Sequence, residues 1–437
     1  MAIVLTLNPF SFYPPTYGGG LRCFHMLREL AREHEVHAVM LEPEAQLARP
    51  AGGYEFPAAI RVHSAADEPP PRDAFGFLPR PLATALRGRW LRRTLSGSVG
   101  GFFLETYHLI RRVLAERPVD VAFLPLDNLF VGSYIRRLSP RTVRVLDSYN
   151  VEHVILEQQL AFEADPVRRA DIGRVLAVTR QLEHRAGDFV EGLIACSDED
   201  RDQLIRLNGG RIRGYTVPNG VDTDARPFVK RCEKPLYSGV LFLGSLFYEP
   251  NHDGLLWFYR EVWPRVQGES PGAVLTVIGN GSEVVSDPAL LGDPSVRFLG
   301  RVEDVMQFHQ AAALMVVPLR MGSGTRLKIL EAMSAGTPVV STTIGCGGIH
   351  VVDTQHLLIR DTPELFASGV CELLSSTEQA DHLRTAARHL VEQQYDWKVV
   401  GRGLNTVVAD LAEQSRRHVE LPKVAVKIRQ PFSTGEG

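Results

Sequence analysis

The sequence predicts an α/β protein built of two doubly wound parallel-sheet domains that face each other across a cleft. Three observations carry this expectation. Short runs rich in Val, Ile and Leu alternate with helical patterns from end to end, the grammar of βαβ units whose strands are buried on both faces. The series restarts near residue 239 after a stretch with neither period. The length, 437 residues, suits two domains with large cores.

In the first domain, 1–222, strand patterns occur at 3–7, 36–41, 119–125, 142–147 and 191–196. Gly18-Gly19-Gly20 opens a helix whose apolar stripe is Leu21, Phe24, Leu27 and Leu30. Residues 42–100, rich in Pro, Ala and Arg, read as irregular. The segment 223–236, with Pro227, Lys230, Arg231, Lys234 and Pro235, reads as the linker. The second domain, 237–395, has strand patterns at 239–244, 273–279, 296–300, 314–318 and 338–341. Helices are expected to start near Asn251, Val302, Arg326 and Pro363. A helix over 396–420 should cross back to the first domain, and 421–437 reads as a disordered tail.

Composition narrows the function classes. Hydrophobic content of 44% and charged content of 23% are those of a soluble globular protein, and the net charge of −3 argues against a nucleic-acid binder. No apolar run reaches the roughly 18 residues that span a bilayer. The opening Met-Ala-Ile-Val-Leu-Thr-Leu reads as a strand rather than a leader, so a cytoplasmic location is expected. The five cysteines and 14 histidines show no ligand spacing, so neither a metal nor a cofactor is expected.

The most informative stretch is 318–340, in which a strand runs through Gly322-Ser323-Gly324-Thr325 into a helix carrying Arg326, Lys328 and Glu331. Free N–H groups at a helix start with two cations beside them suit a diphosphate, and a carboxylate one turn on suits sugar or ribose hydroxyls. Arg326 and Lys328 lie two apart and diverge on a regular helix, so they converge only if Arg326 sits in an irregular first turn.

Taken with Val217-Pro-Asn-Gly-Val-Asp222, Leu241-Phe-Leu-Gly-Ser245, Val277-Ile-Gly279 and Phe298-Leu-Gly-Arg-Val302, that block resembles the family-4 group of glycosyltransferases. The resemblance implies the GT-B fold, with two Rossmann-like domains, and a retaining, metal-independent enzyme using a UDP- or GDP-type nucleotide sugar and a hydroxyl acceptor. It implies donor contacts from Gly19, Gly20, Gly244, Ser245, Gly279, Arg301, Val302, Gly322, Ser323, Gly324, Thr325 and Glu331. Glu331 matches the second acid of the family's E-x7-E motif, while Ser323 stands where the first acid would be. The loop 244–251 also lacks the Arg and Lys that many relatives carry, so Arg326 and Lys328 are expected to neutralise the leaving diphosphate.

On the acceptor side, the loop before Gly18 carries Phe10, Phe12, Tyr13 and Tyr17, and Asp147-Ser-Tyr-Asn-Val-Glu-His153 closes a strand with a polar cluster. Tyr17, Gly18, Tyr149, Asn150 and Glu152 are expected to line the acceptor site, and Asp147 or His153 to orient its hydroxyl. Residues 79–95 combine Arg80, Arg87, Arg89, Arg92 and Arg93 with Leu82, Leu86, Trp90 and Leu91. That pairing fits peripheral contact with an anionic membrane and a lipid-linked or polysaccharide acceptor, and equally fits a solvated helical face. A sugar-nucleotide epimerase of the same fold and a non-catalytic partner that binds a nucleotide sugar are the rival readings.

Overall fold

Two parallel sheets, each covered by helices on both faces, make up the molecule. The computed structural model describes residues 1–8, 12–15, 17–51, 53–67, 99–229 and 239–417. The basic stretch 79–95, most of the linker (230–236) and the tail 421–437 lie outside the described residues.

The first sheet contains β1 (Ile3–Leu7), β2 (Glu35–Met40), β3 (Arg61–Ser64), β4 (Val121–Leu124), β5 (Val143–Ser148), β6 (Gly192–Ala195) and β7 (Arg213–Thr216). Its order is β3-β2-β1-β4-β5-β6-β7, parallel throughout. The second contains β8 (Gly239–Leu243), β9 (Val274–Ile278), β10 (Val296–Gly300), β11 (Leu314–Val317), β12 (Val339–Ser341) and β13 (Leu358–Ile359). Its order is β10-β9-β8-β11-β12-β13, again parallel. Chain direction across each sheet reverses between β1 and β4 and between β8 and β11, the crevices where such sheets gather ligands.

The period of two shows in how each strand feeds two hydrophobic layers. Val4 joins one layer and Leu5 and Leu7 the other. Likewise Val240 and Phe242 pack on one face of β8 while Leu241 and Leu243 pack on the opposite face. Both faces are covered, so the strands read as continuous apolar runs.

Three expectations need correcting. The 42–100 region is not wholly irregular, since it holds a short helix, Glu44–Leu47, and the edge strand β3. β7 and β13 were not expected; β7 reads Arg-Gly-Tyr-Thr, too polar for the apolar-run signal. The helix expected near Val302 begins at Met306, where the Asp304 carboxylate accepts from the Met306 N–H. In the first part of the linker, Phe228 packs its ring against the Arg384 guanidinium.

The helices that bear on the cleft are α1 (Gly18–Leu30), α2 (Glu152–Phe162), α3 (Pro166–His184), α4 (Asp198–Leu207), α5 (Glu249–Trp257), α6 (Leu327–Ala335) and α7 (Trp397–Arg417). α7 lies at the end of the described chain, yet its Leu404, Val408, Leu411 and Ala412 are buried in the first domain's core beside α1. Trp397 stacks on His25 at 4.9 Å, and Asn405 donates to the Glu29 carbonyl at 3.2 Å.

Candidate functional site

Two helix starts meet between the domains. At the start of α6, Arg326 takes an extended backbone (φ −86°, ψ 95°) and caps the helix from outside, with no side-chain cap and no acid in the first turn. The start of α1 matches it: Tyr17 is the cap residue, again without a side-chain cap or a first-turn acid. A Cβ on Gly18 would lie only 3.4 Å from Leu327 Cδ1, so these two ends approach each other across the cleft. Elsewhere Asp165, Ser197 and Thr362 cap helices with their side chains. An anion between two uncapped starts gains about 0.3–1 kcal/mol from each. That is too little alone to stabilise a departing diphosphate, so nearby cations decide the chemistry.

Those cations are present but engaged. Arg326 stands outside the helix, as convergence with Lys328 requires, yet its guanidinium curls back to donate to the Ser323 and Gly324 carbonyls. Gly322, at φ +137°, makes room for it, since a Cβ there would strike the guanidinium. Lys328 extends to the crevice between β8 and β11, where Nζ donates to the Leu243 carbonyl and to Asn251 Oδ1 at 2.8 Å. Burial, and secondarily the Arg326 charge, lower the Lys328 ammonium to about 7. Burial also lowers Arg326. Both cations expected to neutralise a diphosphate thus have backbone carbonyl partners in this structure.

The 322–325 loop is gripped by the first domain. Gly322 N–H donates to Gln158 Oε1 at 2.6 Å. Ser323 Oγ accepts from the Val151 N–H at 3.0 Å and donates to Asp200 Oδ1 at 2.9 Å. Thr325 Oγ donates to the Cys196 carbonyl at 3.1 Å, and its own carbonyl accepts from Asn219 Nδ2 at 3.4 Å. Gly324, at φ +77°, presses on Tyr149 and Asn150 so closely that a Cβ would sit 2.4 Å from Asn150 Oδ1. Groups expected to hold a sugar thus hold the domains together in this state. Glu331 is also engaged, its Oε1 accepting from Arg226 at 3.2 Å.

Behind the loop lies a platform knitted from strand ends. Gly244 N–H donates to the Ile278 carbonyl, Gly279 N–H to the Gly300 carbonyl, and Leu246 N–H to the Asn280 carbonyl. A Cβ on Gly279 would stand 2.0 Å from the Gly244 carbonyl oxygen, so close crossing demands glycine there. The Ser245 carbonyl accepts from Asn251 Nδ2 at 2.9 Å, Arg301 is exposed, and Val302 packs partly buried on the second core.

On the first-domain side, Asp147 accepts from the buried Arg22 guanidinium at 3.0 Å. Arg22 also donates to the Val217 carbonyl at 2.9 Å and to Asn219 Oδ1 at 3.1 Å. Tyr149 OH meets Cys23 Sγ at 3.1 Å. Burial pushes the Cys23 thiol up to about 12 and the Tyr149 phenol upward as well, so both are neutral hydrogen-bonding groups. A narrow cavity at the β1–β4 crevice is lined by Asn8, Cys23, Met26, Phe123, Asp147 and Tyr149. Tyr17 is 44% exposed at the cleft mouth, with its ring against Gly20; Gly18, Gly19 and Gly20 form the first turn of α1.

His153 is held by a carboxylate. Its ring Nδ1 lies 2.5 Å from Glu183 Oε2 in a buried pair, and Glu183 also accepts from the Glu152 N–H, so the pair closes the start of α2. Glu152 accepts from Asn150 Nδ2 at 3.1 Å, and burial raises its carboxyl. Arg22, Gln158, Glu183, Asp200 and Arg226 escaped the sequence reading. The one available signal was Arg22 itself, a cation two residues after the triple glycine and beside the apolar stripe of its helix.

Residues 238–376 match the family model described as glycosyl transferases group 1. Glycogen synthase of Mycobacterium tuberculosis is 30% identical over 222 residues, 48% of this chain and 52% of that protein. The chain spans about half the length of the curated relatives it matches. Among solved structures, sucrose-phosphate synthase from Thermosynechococcus elongatus superposes with a TM-score of 0.66 at 14% identity, covering 94% of this chain and 99% of that one. Anabaena Alr3699/HepE, solved in complex with UDP and glucose, gives 0.64 at 16%, covering 94% and 100%. Both share the two-domain GT-B arrangement seen here.

Gly279→Ala is expected to lose roughly 2–4 kcal/mol of stability, because backbone rather than a flexible side chain blocks the new Cβ. Urea unfolding measures this, and a loss under about 1 kcal/mol contradicts the crossing described.

Proposed function

We propose that this chain, whose residues 238–376 match the family model of group 1 glycosyl transferases, is a retaining, metal-independent glycosyltransferase. It moves a sugar from a UDP- or GDP-type nucleotide sugar to a hydroxyl acceptor. The observation that carries the reading is the meeting of two uncapped helix starts, at Gly18 and Leu327, with Arg326 and Lys328 beside them. The UDP bound by the Anabaena protein supports a nucleoside diphosphate as the ligand of such a cleft.

In this mechanism the diphosphate lies at the α6 start, and the base lies on the platform of Gly244, Ser245, Gly279, Arg301 and Val302. Glu331 takes the ribose hydroxyls, exchanging its bond to Arg226. Lys328 turns from the Leu243 carbonyl to a phosphate oxygen, and Arg326 leaves its loop carbonyls in the same way. Charge then accumulates on the leaving group where cations and helix N–H groups already stand, which lowers the barrier without further reorganisation. The acceptor enters against the first domain, beside Asp147, Tyr149 and the Gly18–Gly20 turn. Attack on the same face from which the diphosphate departs retains configuration, and the departing phosphate oxygen takes the acceptor proton. This agrees with a cleft whose Asp147 is tied to Arg22 and whose Tyr149 stays neutral. Closure around the interdomain segment excludes water.

Ser323, in place of an acid, favours a second reading, a partner subunit that binds a nucleotide sugar without turning it over. Incubation with UDP- and GDP-sugars separates the two, since slow hydrolysis marks an enzyme and binding alone marks the partner. The arginine-rich stretch 79–95 extends the proposal to peripheral membrane contact and a lipid-linked or polysaccharide acceptor. Deleting it should abolish sedimentation with anionic liposomes, and undiminished binding refutes that extension.

Lys328→Ala is expected to lower turnover by about 10²–10³, the scale for losing one charge-stabilising group. A variant with near-wild-type turnover contradicts the role. Because the Lys328 cation sits at about 7, it is lost as pH rises through neutrality, whereas a bound diphosphate favours it. Nucleotide affinity should therefore fall above about pH 7, by up to about tenfold per pH unit, with proton uptake on binding. Calorimetry in buffers of differing ionisation heat measures both, and a flat profile that Lys328→Met leaves unchanged rules the titration out.

A further inference from the structure

Asp200 belongs to the first domain but serves the second. It stands in the first turn of α4, where its N–H donates to the Ser197 cap at 3.1 Å. Its side chain reaches across the domain boundary, and Oδ1 accepts from Ser323 Oγ at 2.9 Å. The residue is 7% exposed, and Oδ2 is buried without a hydrogen-bond partner among the described residues. On the same loop, Arg326 Nε is also buried and without a partner there. A buried polar atom left unsatisfied costs about 1–3 kcal/mol, more when charged, so two such atoms beside one loop call for an explanation.

The chemistry of the missing partner is narrow. A carboxylate oxygen only accepts and repels phosphate; a guanidinium N–H only donates. A hydroxyl satisfies both, donating to the first and accepting from the second, as water or a neutral amide also does. We propose that Asp200 is a hydroxyl-binding, specificity-determining residue for the sugar moiety of the nucleotide sugar, contributed by the first domain where the second offers only Ser323. This rests on the reading that the diphosphate lies at the start of α6. Since Ser323 links the carboxylate to the second domain, a sugar that enters while the domains are apart is met by Asp200 as they close, and recognition of the sugar becomes part of closure. Burial raises the Asp200 carboxyl, while the Ser323 and Ser197 bonds, the Arg326 charge and the Gly324 backbone N–H act against that shift. The competing explanation is a plain clasp between domains.

Titration calorimetry with UDP, GDP, UDP-glucose, UDP-galactose, UDP-N-acetylglucosamine and GDP-mannose separates the two. In Asp200→Asn, affinity for the nucleoside diphosphate alone should stay within about twofold of wild type. Affinity for the matching nucleotide sugar should fall about 10- to 100-fold, the scale of one charge-assisted hydrogen bond. Ser323→Glu placed in an Asp200→Ala background should recover part of that loss by returning a carboxylate to the site from the other domain. Asp200→Glu, which keeps the charge but moves it, should change the order of preference among the sugars and provides the reading should the Asn variant unfold early. Equal weakening for diphosphate and sugar nucleotide, or no change in either, overturns the proposal and leaves Asp200 a clasp. If the wild-type protein binds none of the six compounds, the diphosphate reading itself falls, and this inference with it.

Discussion

The Arg22 guanidinium, 1% exposed, joins parts of the chain that are remote in sequence: Asp147 at the end of β5, the Val217 carbonyl, and Asn219 in the turn between domains. A buried charge is tolerable only when paired and when its remaining donors are used, and Arg22 meets most of that condition. Asn219 carries the line onward to the Thr325 carbonyl, and the Thr325 hydroxyl returns it to Cys196. The approach of the α6 start to the α1 start depends on this line. Removing one partner leaves an uncompensated buried charge, worth about 3–5 kcal/mol, in the place that sets the cleft's width.

The same geometry explains why so many functional groups are already engaged. Gln158, Asp200 and the Val151 N–H give the 322–325 loop hydrogen-bond partners from the first domain. Leu243 and Asn251 partner Lys328. A loop with unmet N–H groups and a bare ammonium would be unstable when closed and empty. Substitutes of protein origin keep it shaped, and each is a single hydrogen bond whose net worth, about 0.5–1.5 kcal/mol, a charged ligand readily exceeds.

Much of this fold was legible because buried parallel strands leave little choice of residue. β8 (Gly-Val-Leu-Phe-Leu) and β11 (Leu-Met-Val-Val) announce themselves, while β3 (Arg-Val-His-Ser) and β7 (Arg-Gly-Tyr-Thr), at the sheet edges, do not. The strand–loop–helix block around Arg326 was legible for the same local reason, since a glycine loop opening a helix is written in consecutive residues. Its partners were not. Ser323 meets Val151 across 172 positions and Asp200 across 123, and nothing local in a sequence marks contacts at that range. The partner of His153 was hidden too, because a polar cluster at a strand end looks alike whether it faces a ligand or a neighbouring helix. Only the position of Glu183 on α3 decides.

The chain passes between the domains twice, and the two passages lie side by side. Val221 N–H donates to the Tyr395 carbonyl at 2.8 Å, and Trp397 N–H to the Val221 carbonyl at 3.1 Å, a short parallel bridge at the boundary. A single strand of polypeptide lets two bodies twist in any direction, whereas two passages pinned to each other at one point resist torsion there. Rotation of one lobe against the other is therefore restrained at that pin more than one passage alone would restrain it.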